Sequence, residues 1–178
     1  MNLVIDPKYG ELDEDVKVFL NNFDEPKDHF ILEVGANEEY AADILTENGY
    51  TVAGIDLRPP TLRGEKCNYH RYEGDFCDLA WKFRRVIDCV FSLSAIEHFG
   101  LTTYGDKEND LPYYDVIAMR EIWNILKPGG CCYLTVPYGK DHIDYGTHWR
   151  VYNSQSLKDR IIQKFEVETM SFFTSGDT

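Results

Sequence analysis

The stretch 31–57, ILEVGANEEYAADILTENGYTVAGIDL, constrains the fold of this chain more than any other. An apolar strand turns at Gly35 into a helix with apolar residues at i, i+4 spacing, and a second strand follows from Thr51 to Leu57. A strand–turn–helix–strand of about 27 residues is one βαβ unit of a parallel sheet. Asp56 lies about 20 residues after the turn glycine, where folds of this kind bind ribose hydroxyls. The stretch therefore predicts an α/β sheet with a nucleoside-binding edge.

The residues at the turn indicate which ligand this edge binds. Gly35 has no side chain, so a ligand can approach the backbone closely. Asn37 tolerates a left-handed backbone better than most residues with a side chain. Glu38 and Glu39 open the helix, where their charge suits the helix dipole but repels a phosphate. We therefore expect a ribose-containing ligand without a pyrophosphate, which disfavours an NAD-dependent dehydrogenase.

The rest of the chain continues the alternation of strands and helices. The run VIDCVFSL is apolar throughout, which is typical of a central strand buried on both faces. Periodicity and turn residues predict helices over 12–23, 115–126 and 154–162, a turn at 127–130, and strands over 68–73, 86–93, 131–136 and 165–173. Six strands are thus expected in one doubly wound, mostly parallel sheet.

Two segments resemble motifs of the class I S-adenosylmethionine (SAM) dependent methyltransferases. The first motif of that class has an acid, any residue and three alternating glycines. Glu33 and Gly35 match it, whereas Asn37 and Glu39 stand at the second and third glycine positions. The segment Leu-Lys-Pro-Gly-Gly at 126–130 closely resembles the one before the fifth strand of the class. The resemblance implies a Rossmann-like methyltransferase fold, with its seventh, antiparallel strand missing from this sequence.

The resemblance also implies where the cofactor SAM binds. In the class, an acid after the second strand binds the ribose, and an acid after the third strand accepts from the adenine amino group beside an apolar residue. The residues at the corresponding positions are Glu33, Gly35 and Asn37 for the methionine end, Asp56 and Leu57 for the ribose, Asp75 and Phe76 for the adenine, and Ser92 and Leu93 along the cofactor.

Catalytic candidates follow the predicted strands at the edge where open α/β sheets bind ligands. Many small-molecule methyltransferases have Glu-His, or the His alone, after the fourth strand, and Glu97 and His98 match this. A histidine titrates near neutral pH and can take a proton from a hydroxyl acceptor. His142 and His148, on a second long loop at 137–152, are the further candidates. No ligand spacing specifies a metal, so no metal site is predicted.

A long loop at 99–114 also reaches this edge. Long ordered loops in compact domains are usually functional. Its tyrosines, Tyr104, Tyr113 and Tyr114, offer ring faces that attract a cation such as a sulfonium. Tyrosines packed on the surface are the alternative interpretation.

Composition excludes several classes of function. The net charge of −13 argues against a nucleic-acid partner, since nucleic-acid binders usually carry a basic face. No run approaches the roughly 18 apolar residues of a membrane span, and the first residues lack the basic and apolar regions of a signal peptide. The five cysteines have no paired metal spacing and suit reduced thiols of a cytoplasmic protein. The expected partner is a small-molecule or saccharide substrate.

The chain divides into an N-terminal helical cap at 1–29 and a SAM-binding domain at 30–178. Residues 94–106, with Ser-x-Ile-Glu-His-Phe-Gly-Leu followed by Tyr-Gly-Asp, further resemble methyltransferase type 11-like proteins associated with glycans. The first hypothesis is therefore methyl transfer from SAM to a small molecule or sugar. The alternative is a non-catalytic SAM-fold module, a partner subunit or scaffold, which the replaced glycines favour. An unpaired sixth strand would be an exposed edge that a second copy could cover, so a homodimer is also expected.

Overall fold

The computed structural model describes residues 3–36, 40–59, 69–102, 111–140 and 149–173, and the backbone of 142–144. Its centre is a sheet of five strands that pair in parallel in the order β3-β2-β1-β4-β5. The strands are β1 (Phe30–Val34), β2 (Thr51–Asp56), β3 (His70–Glu73), β4 (Ile87–Leu93) and β5 (Leu126–Thr135). The predicted βαβ unit is confirmed, β3 lies at one edge of the sheet, and β1 and β4 are flanked on both sides.

Helices cover both faces of this sheet. They are α1 (Glu14–Asn22), α2 (Ala41–Glu47), α3 (Phe76–Leu79), α4 (Tyr114–Ile125) and α5 (Ser154–Ser156), which continues as a π-helix over Leu157–Ile162. Helices α1 and α2 bury their apolar residues in one core cluster with Ile31 and Phe91 of the sheet. Helices α3 and α4 contribute to a second cluster with Leu32 and Val90, which point to the opposite face because side chains alternate along a strand.

The predicted N-terminal helix lies on a face of the sheet. Phe19 of α1 stacks on Phe91 of β4 with ring centroids 4.6 Å apart. Val16, Phe19 and Leu20 are all buried, as the helical spacing of these apolar residues predicts. The helix therefore belongs to the core that supports β4.

Residues 127–130 differ from the turn predicted for them. They form a bulge inside β5, where the register against β4 shifts between Ile87 and Cys89. Lys127 Nζ approaches Asp88 Oδ1 at 2.7 Å, and a Cβ on Gly130 would lie 2.8 Å from the Asp88 carbonyl oxygen. The glycine is required here because the bulge brings the two strand backbones into close contact.

Two predictions at the end of the chain are wrong. No strand forms over 165–173 in the described structure, and its apolar side chains Val167, Met170 and Phe172 remain exposed. An alternating pattern indicates a strand only where a neighbouring strand supplies hydrogen-bond partners, which tertiary structure decides. The helix expected to begin with a Ser154 cap is capped instead by Asn153, whose side chain accepts from Gln155 and Ser156 in a capping box.

The predicted second long loop contains a short antiparallel pair, β6 (His142–Asp144) with β7 (Trp149–Val151). Among the helices that the structure describes, none has the length and apolar character needed to cross a bilayer.

Candidate functional site

A cleft of about 740 Å³, part of it open to solvent, lies at the carboxyl ends of the parallel strands. Its floor comes from the ends of β1 and β2, and its sides from the segments after β3 and β4 and the start of α4. The described residues that line it are Gly35, Ile55, Asp56, Leu57, Arg58, Gly74, Asp75, Phe76, Leu93, Ser94, Ala95, His98, Phe99 and Tyr114. Open α/β sheets bind ligands at this edge.

Gly35 forms the floor of the cleft. Its backbone has a φ of +91°, and its N–H donates to the Ile55 carbonyl at 2.9 Å. A Cβ at this position would lie 2.4 Å from Cβ of Ala95. Both the conformation and the close approach therefore require glycine, and the backbone is left accessible to a ligand.

Asp56, the last residue of β2, is held by two arginines. Its Oδ1 accepts from the Arg58 backbone N–H at 2.8 Å and from Arg58 Nε at 3.2 Å. Arg71 Nη2 lies 3.8 Å from the same oxygen. The carboxylate is only 6% exposed, so these cations offset the cost of its burial. A ribose that bound here would either displace Arg58 from this carboxylate or share the carboxylate with it.

Asp75 caps α3 and links it to α4. Its Oδ1 accepts from Cys77 N–H at 2.9 Å, and its Oδ2 accepts from the Tyr114 hydroxyl at 2.8 Å. Burial, with the hydrogen bond to Asp75, raises the pKa of the Tyr114 phenol, so the phenol stays a donor at neutral pH. Phe76 beside it is buried and presents an apolar surface to the cleft.

Ser94 connects the cleft to helix α1. Its hydroxyl donates to Asp15 Oδ2 at 2.8 Å, and its N–H donates to Thr135 Oγ1 at 2.8 Å. Ser94 adopts a φ of +45°, a conformation that is uncommon for residues with a side chain. These contacts hold the backbone after β4 as it turns toward His98, which also lines the cleft.

Glu97 is buried behind the cleft wall. It is 2% exposed, and its Oε2 has no hydrogen-bond partner among the described residues. Burial, together with the nearby charge of Asp15, raises the pKa of its carboxyl to about 8. Arg150 donates to the backbone carbonyls of Glu97 at 3.0 Å and Phe99 at 2.6 Å, and so holds the segment that carries His98.

The cleft brings together eight of the residues singled out from sequence: Gly35, Asp56, Leu57, Asp75, Phe76, Leu93, His98 and Tyr114. Three others, Glu33, Ser92 and Glu97, are buried and do not line it. Glu33 Oε2 accepts from the Tyr69 hydroxyl at 3.2 Å, and Ser92 Oγ donates to the Val34 carbonyl at 2.7 Å. These two support the strands beneath the floor.

The remaining candidates are not placed by the described structure. Asn37, Glu38, Glu39 and His148 lie outside the described residues, as does Tyr104 of the first long loop. His142 begins β6, and its backbone alone is described.

Sequence reasoning missed Arg58 and Ser94 as cleft residues. Arg58 is the second residue after β2 and Ser94 the first residue after β4, and both strands end at the cleft, so position in the sequence was the available signal. Tyr114 was noted among the loop tyrosines, but the structure makes it the first residue of α4 and brings it onto Asp75.

Solved structures with a similar fold are SAM-dependent methyltransferases. One from Archaeoglobus fulgidus aligns with a TM-score of 0.61 and 14% identity, over 81% of this chain and 62% of that chain. Phosphoethanolamine N-methyltransferase 2 of Haemonchus contortus, in complex with phosphomonomethylethanolamine and S-adenosylhomocysteine, aligns with a TM-score of 0.58 and 17% identity, over 82% of this chain and 35% of that chain. The chain therefore has the class I SAM-dependent methyltransferase fold.

A putative methyltransferase of Haloferax volcanii, solved in complex with the Trm112 methyltransferase activator, aligns with a TM-score of 0.54 and 23% identity. The match covers 71% of this chain and 53% of that chain. The chain thus spans between a third and two thirds of the length of these structures.

Among curated proteins, none matches this sequence. A family model described as "Caenorhabditis protein of unknown function, DUF268" matches residues 66–175, which is more than half of the chain. This segment runs from before β3 to beyond the π-helix and includes Asp75, His98 and Tyr114 of the cleft. The chain belongs to the DUF268 family.

Proposed function

We propose that this protein transfers a methyl group from SAM to a small molecule or a saccharide. The observation that carries the proposal is the cleft itself. Residues that follow β1, β2, β3 and β4 meet there, and these are the positions at which the class I fold places its cofactor-binding residues. The cleft combines a bare glycine backbone, two carboxylates, an apolar wall and a histidine. This set matches the parts of a nucleoside with an amino acid attached to it.

Within this proposal, Gly35 and the following Asn37 bind the methionine end of SAM, with Glu33 supporting the turn from below. Asp56 and Leu57 hold the ribose, and a carboxylate suits this role because it accepts from two hydroxyls at once. Asp75 accepts from the adenine amino group, and the ring of Phe76 packs against the base. Gly35 favours the fit of SAM to the cleft because glycine leaves the space next to Ala95 open, whereas a Cβ would fill it.

Leu93 lines the cofactor at the end of β4, and Ser92, which was expected to do the same, supports the floor from beneath. Ser92 is fully buried and bonded to the carbonyl of Val34, which keeps β1 and β4 in register where the floor forms. A rigid floor matters because a misplacement of about 1 Å in a reacting group costs roughly 100-fold in rate.

Bound SAM supplies a methyl group that its positively charged sulfur already activates for displacement. The protein then has to align the acceptor, exclude water and, for a hydroxyl acceptor, remove a proton. His98 is the proposed base because it lines the cleft beside Ala95, which itself contacts the floor at Gly35. Glu97 acts as a positioning residue, and His142 and His148 remain the candidates from the opposite loop.

The acceptor is proposed to be small and hydroxylated, as in the glycan-associated type 11-like group. Polar and aromatic residues around the cleft, among them Tyr114 and Ser94, suit hydrogen bonding to such a molecule. The Haemonchus contortus enzyme of the same fold was solved in complex with a small molecule, phosphomonomethylethanolamine. A cytoplasmic location fits this proposal, since none of the four described cysteines forms a disulfide, and reduced cysteines persist in reducing compartments.

A second candidate is a SAM-fold module without catalysis that serves as a partner subunit. The pairing of Asp56 with Arg58 favours it, because the carboxylate expected to bind ribose already has a cationic partner. Asn37 and Glu39, which stand at the second and third glycine positions of the first motif, also favour this second candidate. The Haloferax volcanii structure of this fold was solved with an activator subunit, and a homodimer through the outer edge of β5 is the corresponding arrangement for this chain.

Calorimetric titration with SAM and with S-adenosylhomocysteine tests the cofactor site. We expect micromolar binding to the wild type and at least ten-fold weaker binding to Asp56→Asn, a difference of about 1.4 kcal/mol. Asp88→Asn is the matched control, because Asp88 is a strand aspartate paired with Lys127 away from the cleft. Binding to neither ligand, or equal effects of the two substitutions, would overturn the proposed site.

Turnover separates the two candidates once binding is established. Formation of S-adenosylhomocysteine with a panel of hydroxylated small molecules and sugars is expected for the enzyme, and it should fall at least ten-fold in His98→Gln while SAM affinity is kept. Binding of SAM without turnover of any acceptor would favour the partner-subunit function.

A further inference from the structure

Three potential metal ligands meet at the amino-terminal end of the sheet, opposite the cleft. Glu25 comes from the linker before β1, Cys89 from β4 and Cys131 from β5. One carboxylate oxygen and the two sulfur atoms all lie within 4.8 Å of one another. Cys89 and Cys131 are direct neighbours across the parallel strands. The three residues are 64 and 42 positions apart in sequence (89 − 25 and 131 − 89), so their proximity is visible only in the fold.

Neighbouring side chains hold the carboxylate of Glu25 in place. Its Oε1 accepts from Cys131 Sγ at 3.0 Å and from the Tyr133 hydroxyl at 3.0 Å. Its Oε2 lies 2.9 Å from His29 Nδ1. The cluster is therefore an ordered one: a carboxylate oriented by a phenol and an imidazole faces two thiols.

We propose that Glu25, Cys89 and Cys131 bind a zinc ion. Zinc takes thiolate, imidazole and carboxylate ligands in tetrahedral geometry, and thiolate ligands exclude the hard cations magnesium and calcium. Each thiol gives its proton to solvent when its sulfur coordinates the ion. The fourth position is then taken by water or by the imidazole of His29, which is already bonded to Glu25. Tyr133 serves as the outer hydrogen-bond donor that orients the carboxylate.

The position of this cluster indicates a structural role for the ion. Cys89 is fully buried, whereas Glu25 and Cys131 are half-buried, so an ion can enter from the linker side. An ion here would tie the linker that precedes β1 to β4 and β5. Such a site is distinct from the cleft, because none of its three ligands lines that cavity.

Cobalt(II) is the probe, since it replaces zinc and reports its ligands by absorption. Titrated into the reduced, metal-free protein, it should bind with one equivalent per chain and produce both a thiolate-to-cobalt charge-transfer band and the strong visible bands of tetrahedral cobalt. Zinc should displace it and abolish the spectrum. Zinc should also raise the Tm of the protein, because an ion that binds the folded state stabilises it.

Two adjacent cysteines provide a matched pair of variants. Cys131 faces the cluster, whereas Cys132 packs in the other core cluster on the opposite face of the sheet. We expect Cys131→Ser to lose the charge-transfer band of the site and the effect of zinc on the Tm, and Cys132→Ser to keep both. Glu25→Gln should weaken cobalt binding roughly 10-fold or more while leaving the thiolate band in place.

Several results would overturn the proposal. Binding without a thiolate band, binding that is equal in Cys131→Ser and wild type, or no stoichiometric binding to the wild type would each do so. Cys131 is preferred to the fully buried Cys89 for the test because its substitution is less disruptive, and circular dichroism of the metal-free variant verifies its fold. SAM binding in Cys131→Ser should equal that of the wild type, which separates this site from the cleft.

Discussion

The hydroxyl of Tyr114 donates a 2.8 Å hydrogen bond to Asp75 Oδ2, and both residues line the cleft. The bond joins the first residue of α4 to the residue that caps α3. Because Oδ1 of the same carboxylate accepts from Cys77 N–H, both oxygens are oriented by the protein before any ligand arrives. The side of the cleft formed by Asp75 is thus preorganised by a contact between residues 39 positions apart.

Replacement of Tyr114 by phenylalanine should lower the free energy of unfolding by about 2 kcal/mol, because it removes one hydrogen bond to a charged acceptor. Tyr113→Phe is the matched control, since that side chain is 67% exposed and its hydroxyl loss should change stability by less than about 0.5 kcal/mol. Urea denaturation of the two variants measures the difference. Equal effects would show that the bond to Asp75 contributes nothing to stability.

Substitution of two glycines with similar backbone angles distinguishes the cost of conformational strain from the cost of steric overlap. Gly35 and Gly49 have φ values of +91° and +85°, but an added Cβ meets Ala95 at 2.4 Å only at Gly35. Gly49→Ala should therefore cost about 1 kcal/mol of unfolding free energy from strain alone. Gly35→Ala should cost at least about 3 kcal/mol and abolish SAM binding, because the overlap adds to the strain and fills the floor of the cleft.

Chemical denaturation and calorimetry measure these two effects. A Gly35→Ala variant that is as stable as Gly49→Ala, with SAM affinity unchanged, would contradict the close approach of Ala95 to the turn.

The buried carboxyl of Glu97 should make stability depend on pH. The folded protein holds its proton up to a pKa of about 8, above the ordinary value of 4.5, because burial penalises the charged form. A raised carboxyl pKa means that the folded state binds more protons than the unfolded state between these values. The free energy of unfolding therefore falls as the pH rises from about 4.5 to about 8.

Glu97→Gln removes this titration while keeping the shape of the side chain. We expect the variant to gain stability relative to the wild type by roughly 2 to 4 kcal/mol between about pH 5 and pH 9, since one unit of pKa corresponds to about 1.4 kcal/mol. Urea denaturation of both proteins across this range is the measurement. A difference between them that is constant with pH would contradict a neutral, buried Glu97.

Arg150 should be essential for the stability of the segment around His98. It is 2% exposed, and its guanidinium donates to the carbonyls of Glu97, Phe99 and Leu111. A lysine has one compact charge and cannot reach all three, so Arg150→Lys should lower the free energy of unfolding by about 3 kcal/mol. Arg120→Lys, with a side chain 61% exposed, is the control and should change it by less than about 0.5 kcal/mol. Thermal unfolding monitored by circular dichroism compares the two.

Local patterns were sufficient to predict most of the sheet. The periodic residues of α1 and α2, the apolar run of β4 and the glycine at position 35 all lie in the elements expected of them. These signals are reliable because burial and backbone sterics act on neighbouring residues. The wrong predictions share one cause, because the structure of each segment depends on distant residues. Residues 165–173 have strand-like alternation but no paired strand in the described structure. Residues 127–130 are typical of a turn but form a bulge against Asp88.

The two candidate sites also depend partly on local sequence pattern and partly on tertiary structure. The sequence by itself determined that acids and a histidine follow the strands, because parallel strands all end at one edge and bring such residues together. Tertiary structure alone decided that Arg58 pairs with Asp56, that Glu97 is buried away from the cleft, and that Tyr114 orients Asp75. It also brought Glu25, Cys89 and Cys131 within 4.8 Å of one another. Side-chain pairing and burial depend on which elements pack together, and the spacing of residues along the chain does not determine that packing.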